Sequence, residues 1–170
     1  MRIAVIGPES TGKTELSEQL SNKLEISLVK EFAREYLADF EGEYSESDLV
    51  KIAKGQYLSC MRADTGGDYI SDTELLTIKI WSKEKFQQVD PDIIYLMDEL
   101  KFDLYLLCYP DLPWTPDPLR ESPLLQDRMR QFSWFVKELN KMNKAYRIIR
   151  GTGPDRLGLA LKEIQSFSSR

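Results

Sequence analysis

The sequence predicts an α/β fold, a five-stranded parallel sheet with helices on both faces, and three observations carry that expectation. Short apolar runs recur along the 170 residues, and each is followed by a segment whose apolar residues repeat at helical spacing. The runs end at glycine, acidic or proline positions, as buried strands do where the chain turns out of the sheet. Neither an internal repeat nor a low-complexity linker interrupts the pattern, so one domain over residues 1–170 is expected.

The elements follow in order. Arg2 to Ile6 is an apolar run stopped by Gly7, and Leu16, Leu20 and Leu24 then mark a helix from about Lys13. Ile26 to Lys30 is a second short strand, followed by a short helix over Glu31 to Phe40. Ser45 with Asp48 is a capping-box variant opening a helix with Leu49, Ile52, Ala53, Gln56 and Cys60 on one face. Gly66 and Gly67 stop it, and Asp68 to Ser71 forms a strand ending at Asp72. A helix is expected over Thr73 to Lys85, and another from Pro91 to about Lys101. Phe102 to Tyr109 is the strongest buried strand. Pro110, Pro113, Pro116, Pro118 and Pro123 hold the next stretch out of regular structure. Gln126 to Asn143 reads as a helix, Tyr146 to Ile149 as the last strand, and the final helix points Leu157, Leu161 and Ile164 inward.

Composition narrows the function. The formal charge is −5 with no concentrated basic stretch, which argues against nucleic acid as the main partner. No run of apolar residues is long enough for a membrane span, and no leader pattern precedes the first strand, so a cytoplasmic setting is expected. Cys60 and Cys108 lack metal-ligand or disulfide spacing and read as two reduced, buried thiols. Histidine is absent, which leaves proton transfer to carboxylates and metal binding to oxygen ligands suited to magnesium.

Gly7-Pro8-Glu9-Ser10-Thr11-Gly12-Lys13-Thr14 matches the phosphate-binding pattern G-x-x-x-x-G-K-[ST] in full, between a strand and a helix as the motif requires. Its glycines let backbone N–H groups of Glu9, Ser10 and Thr11 face a phosphate chain, and the helix dipole adds to that field. Lys13 would reach the β- and γ-phosphates of ATP, and Thr14 would ligate magnesium.

Four further regions fall just after strands, where ligands of parallel sheets sit. Glu31 would face the end of the phosphate chain and accept a proton, with Arg34 one turn on; by position alone it reads equally as a helix N-terminal acid. Asp72 ends the third strand in a Walker B-like position, where it supports magnesium, or else it caps the helix starting at Thr73. Arg120 lies in the proline-rich loop over about residues 110–125, a lid that would bring charge to transferred phosphate, while Arg128 and Arg130 read as solvated. Trp114 is either a packing anchor or a stacking surface, and Trp81 and Tyr36 read more as core than as ligand contacts. Gly151 to Asp155 would wrap the adenine, with Arg156 against it.

Taken together, the octet at 7–14, Glu31-Phe32-Ala33-Arg34-Glu35-Tyr36, Ser71 to Thr77 and Trp114 to Arg120 resemble the ribosylnicotinamide kinase domain of the NadR proteins, in the family's order and over essentially the whole chain. The resemblance implies a three-layer P-loop nucleoside-kinase fold with a lid loop, and transfer of phosphate from ATP with magnesium to nicotinamide riboside. It places Lys13 and Thr14 on phosphate and magnesium, Glu31 and Arg34 in the substrate-side motif, Asp72 in the acidic strand-end motif and Arg120 in the lid, with Glu31 favoured as the base and Asp72 the alternative. Lys13, Glu31, Asp72 and Arg120 are thus the candidate catalytic residues, and Glu31, Arg34, Asp72, Tyr36 and Trp114 the candidate contacts to the small-molecule substrate. Larger members carry adenylyltransferase and DNA-binding domains, and neither activity is expected of these residues.

Two other readings stand beside it. One is a P-loop kinase for another nucleoside or small alcohol; the other is a non-catalytic ATP-binding regulatory module. A GTPase is disfavoured, because Asn140-Lys141-Met142-Asn143 lacks the aspartate of a guanine-reading segment.

Overall fold

A computed structural model describes residues 1–38, 40, 43–117 and 120–169. Five strands among them form one all-parallel sheet: β1 (Arg2–Ile6), β2 (Ser27–Val29), β3 (Tyr69–Asp72), β4 (Leu104–Cys108) and β5 (Tyr146–Ile149), in the order β2-β3-β1-β4-β5. The helices are α1 (Lys13–Leu24), α2 (Phe32–Leu37), α3 (Glu46–Asp64), α4 (Leu75–Phe86), α5 (Pro91–Glu99), α6 (Leu125–Lys141) and α7 (Gly153–Ser168).

The sheet splits the apolar interior in two. Ile3, Val5, Ile70, Leu104 and Leu106 face α1 and α7, whereas Ala4, Ile6, Tyr69, Tyr105 and Leu107 face α3, α4, α5 and α6. Strands covered on both faces need apolar residues at successive positions, which is why β4 is buried throughout. Chain order reverses about β1, whose neighbours are β3 and β4. The crevice at the carboxyl ends of these three strands is the ligand position of such sheets. Cys60 and Cys108 are free and buried, as their spacing predicts.

Boundaries shift by a few residues, with physical causes. Helix α4 starts at Leu75 and not at Thr73, because Thr73 is left-handed (φ 68°) and donates its N–H to Val5 in the sheet. Asp72 therefore does not cap that helix; the position is taken by Glu74. Helix α2 ends at Leu37, short of Phe40, and Asp39 lies outside the described residues. In α7 the fully buried positions are Arg156, Ala160 and Ile164, while Leu157 and Leu161 are half-buried. The Ser45–Asp48 cap is present: the Ser45 backbone N–H donates to the Asp48 carboxylate at 2.9 Å.

Candidate active site

The turn from β1 into α1 is built by left-handed residues. Ser10 (φ 55°) and Gly12 (φ 70°) curl the loop, and α1 begins at Lys13. Gly7 (φ 140°) passes so close to β4 that a Cβ there would meet the Cys108 carbonyl at 2.7 Å, so glycine is required. Inside the loop, the Thr11 hydroxyl and the Lys13 ammonium both donate to the Pro8 carbonyl, at 2.7 and 2.9 Å. The loop is also held from below. The buried Arg156 guanidinium donates to the carbonyls of Thr11 (2.7 Å) and Gly151 (2.7 Å) and to Asp111 (2.9 Å).

Acidic groups converge from the neighbouring strands. Asp72, at the end of β3, is 2% exposed and stands beside the Thr14 hydroxyl. Burial pushes its carboxyl up to about 6; Thr14 opposes that, Glu31 adds to it, and Lys13 and Arg34 oppose it further. Its Oδ1 is buried with no hydrogen-bond partner in the protein. An orphaned carboxylate oxygen beside a hydroxyl fits a hard cation, so Thr14 and Asp72 suit magnesium. No cluster of three or more His, Cys, Asp or Glu stands ready for a metal among the described residues. Magnesium usually completes its shell with water and phosphate oxygens, which this donor set leaves open.

Glu31 precedes α2, and Arg34 donates to it at 3.1 Å and to Asp117 of the lid at 3.1 Å. The start of α2 is fixed by Gln56 of α3. Its buried amide accepts the Phe32 N–H (2.8 Å) and donates to the Ser71 hydroxyl of β3 (3.2 Å). One side chain thus links the residue after Glu31 to the residue before Asp72. Phe32 in turn lies against Gly55, where a Cβ would fall 2.1 Å from its ring.

The loop between β4 and α6 lies over these groups. Arg120 donates to the carbonyl of Thr115 at 2.7 Å and to the Ser10 hydroxyl at 3.4 Å, and it also bonds the Thr115 hydroxyl. The same Ser10 hydroxyl ties the phosphate loop to the lid twice more: it donates to the Pro113 carbonyl (3.2 Å) and accepts from the Thr115 N–H (3.1 Å). Glu121 bonds Tyr44 at 2.9 Å and Lys85 of α4 at 2.7 Å, and Trp81 donates to Tyr44 at 2.7 Å. Pro118 and Leu119 lie outside the described residues.

These elements enclose a cleft of about 1070 Å³ that contains Gly7 to Thr14, Glu31, Arg34 and Arg120. A smaller cavity of about 430 Å³ adjoins it, sharing Thr14, Glu31 and Arg34 and adding Asp72, Lys30 and Arg62. Most of the expected site residues are therefore gathered.

Three are not. Tyr36 borders neither cavity; its hydroxyl donates to Asp48 at 2.9 Å, in the cap of α3. Trp114 lines neither cavity, and its indole N–H is spent on Glu9 at 3.0 Å. Arg156 is 4% exposed and buttresses the loop, leaving no face for adenine. Arg128, expected in solvent, is also buried and donates to Leu112 at 3.2 Å, whereas Arg130 is exposed and pairs with Asp127 and Glu84.

Other residues went unread. Thr77, Ile80 and Glu84 of α4 line the cleft from one helix face, a detectable pattern, and Trp81, expected in the core, lines it with them. Gln56 lies on the predicted buried face of α3, but nothing in the sequence names its partners.

The α/β architecture, the phosphate loop and the acids after β2 and β3 define a P-loop protein, and its AAA domain family matches residues 2–156. The chain belongs to that family. It is 28% identical to the trifunctional NAD biosynthesis/regulator protein NadR of Salmonella typhimurium over 147 residues, which cover 83% of this chain and 36% of that protein. Solved structures of NadR share the fold. One in complex with NR superposes with a TM-score of 0.83 at 22% identity, covering 99% of this chain and 52% of the other. Another, with NAD and AMP-PNP, gives 0.80 at 22%, covering 98% and 49%. The chain thus spans about a third of the curated relative's length.

Proposed function

We propose that this chain is an ATP-dependent kinase that phosphorylates nicotinamide riboside to nicotinamide mononucleotide in NAD biosynthesis. The observation that carries the reading is the convergence of Glu31 and Asp72 on Lys13 and Thr14, beneath a lid bearing Arg120. The choice of acceptor is supported by the similarity to NadR, one solved structure of which holds NR. The described chain is read as one kinase unit with a lid over about residues 110–125, acting in the cytoplasm. No helix among the described residues is long and apolar enough to cross a membrane.

In this reading the phosphate loop holds the ATP phosphates through its backbone N–H groups, with Lys13 against the β- and γ-oxygens. Glu31 accepts the proton of the riboside 5′-hydroxyl as that oxygen bonds the γ-phosphorus. The bond between the γ-phosphorus and the bridging oxygen then breaks, and ADP leaves. Thr14 and Asp72 would hold magnesium, whose charge would offset that of the phosphate oxygens. Arg120 offsets charge on the transferred group, and the lid keeps water from competing with the acceptor. An acidic site also suits a nucleoside whose base is cationic.

Coupled ADP release tests the proposal, run with ATP and magnesium alone and with nicotinamide riboside, uridine or thymidine. Stimulation by nicotinamide riboside only is expected. Stimulation by another nucleoside would discard the acceptor, and ATP binding with no stimulated release would favour a regulatory module.

A further inference from the structure

Glu9 places a carboxylate inside a loop whose task is to hold a polyanion, where it would repel the ligand if it faced the phosphates. It does not act as a phosphate contact in this structure. Its two oxygens accept the Trp114 indole N–H at 3.0 Å, the Glu121 backbone N–H at 2.9 Å and the Ser122 backbone N–H at 2.6 Å. All three donors belong to the lid, more than a hundred residues further along the chain. Hydrogen bonds to an ionised acceptor are stronger than neutral ones, and three on one carboxylate satisfy most of its capacity. From the same segment, the Glu121 side chain reaches Tyr44 and Lys85 on the opposite wall of the cleft.

We infer that Glu9 is the anchor that closes the lid onto the phosphate loop, a positioning residue that sets Arg120 over the site. The inference deepens the kinase reading and rests on it for its kinetic part. Removing the anchor leaves the N–H cradle and Lys13 intact, so ATP is still bound. What is lost is the placement of Arg120 and the exclusion of water, which act during transfer.

The test combines hydrogen exchange and kinetics on the full chain, comparing wild type with Glu9→Gln and Glu9→Ala. The Glu121 and Ser122 amides, bonded directly to Glu9, should exchange at least about tenfold faster in Glu9→Ala and to an intermediate degree in Glu9→Gln, with α1 and the sheet unchanged. In turnover, kcat should fall by about tenfold or more while the ATP dissociation constant stays within about threefold, and ATP hydrolysis without acceptor should rise relative to transfer. Trp114→Phe, which removes one donor and leaves the loop alone, should shift exchange at the same two amides by a smaller factor if Glu9→Ala does not fold. Unchanged exchange at Glu121 and Ser122 would overturn the inference, as would a loss of ATP affinity equal to the loss in kcat. A wild type that phosphorylates no acceptor would defeat the kinase reading, and the exchange result would still decide the anchor.

Discussion

Arg34 of α2 donates to Asp117 of the lid at 3.1 Å, a contact between residues 83 positions apart that joins the Glu31 side of the cleft to its cover. The same guanidinium holds Glu31 at 3.1 Å. Burial opposes the charge of Arg34, and Asp117, Glu31 and Asp72 outweigh it, raising its pKa. The pair is partly exposed, so its worth to stability is about 1 kcal/mol or less. Its effect on turnover is expected to be non-additive. In a double-mutant cycle on kcat, Asp117→Asn should matter less once Arg34→Ala is in place, by at least about 0.5 kcal/mol. Strictly additive losses would mean that lid and acceptor side act independently.

In the proposed reading, Lys13→Ala removes the charged contact to the β- and γ-phosphates without disturbing the core. Turnover should drop on the order of a hundredfold to a thousandfold, as when one preorganised donor is lost. A wild-type rate in the coupled assay would contradict the assignment of the phosphate loop.

Glu31→Gln keeps the shape of the side chain and removes its basicity. On the account above, kcat falls by on the order of a hundredfold with ATP affinity retained. An unchanged kcat would transfer the role of base to Asp72.

Glu74 supplies a pH test separate from catalysis. Burial raises its carboxyl from the ordinary 4.5 to about 7, and the backbone N–H groups of Leu76 and Leu75 together with Lys144 and Lys79 only partly counter this. The folded state therefore binds the proton more tightly than the unfolded chain. Its stabilising contribution is complete below about pH 4.5 and is lost as pH rises through about 7. Glu74→Gln should thus be more stable than wild type near neutrality by up to about 3 kcal/mol, with the difference vanishing toward the acid end. Denaturant titrations across that range check it, and a difference independent of pH would refute it.

Gly55→Ala tests the wedge behind Glu31. A Cβ at Gly55 would lie 2.1 to 2.5 Å from three atoms of the Phe32 ring, so the ring must move. Overpacking of this kind costs about 1–3 kcal/mol. The melting temperature should fall and kcat with it, because the Phe32 backbone carries Glu31. A variant as stable as wild type would show that the ring has room to give.

The sheet, its five strands and the phosphate loop were legible in the sequence because each is encoded locally. β4 is a continuous apolar run, and the turn after β1 has glycine where positive φ and close approach to Cys108 demand it. The starts of helices were less legible. Thr73 reads as helical by composition, yet a sheet hydrogen bond to Val5 pulls it into a left-handed conformation.

The lining of the cleft was legible where an acid follows or ends a strand, as with Glu31 and Asp72. It was not legible where a side chain's role depends on a partner far along the chain. By sequence, Tyr36 and Trp114 are open between packing and ligand contact, and Asp48 and Glu9, far from each along the chain, occupy their polar ends. Arg156 reads from the sequence as a cation against the adenine, and only the fold reveals that it closes the space beneath Thr11. Gln56 stands out as the polar residue on the apolar face of α3, but its partners appear only once β3 and α2 are placed beside it.

The measurement that bears most directly on the central claim is a competition read by mass spectrometry, with ATP, magnesium and equal amounts of nicotinamide riboside, uridine and thymidine. The account predicts that nicotinamide mononucleotide accumulates in step with ADP while the other nucleosides stay unmodified. Phosphorylation of uridine or thymidine in its place, or ADP without any phosphorylated nucleoside, would contradict it.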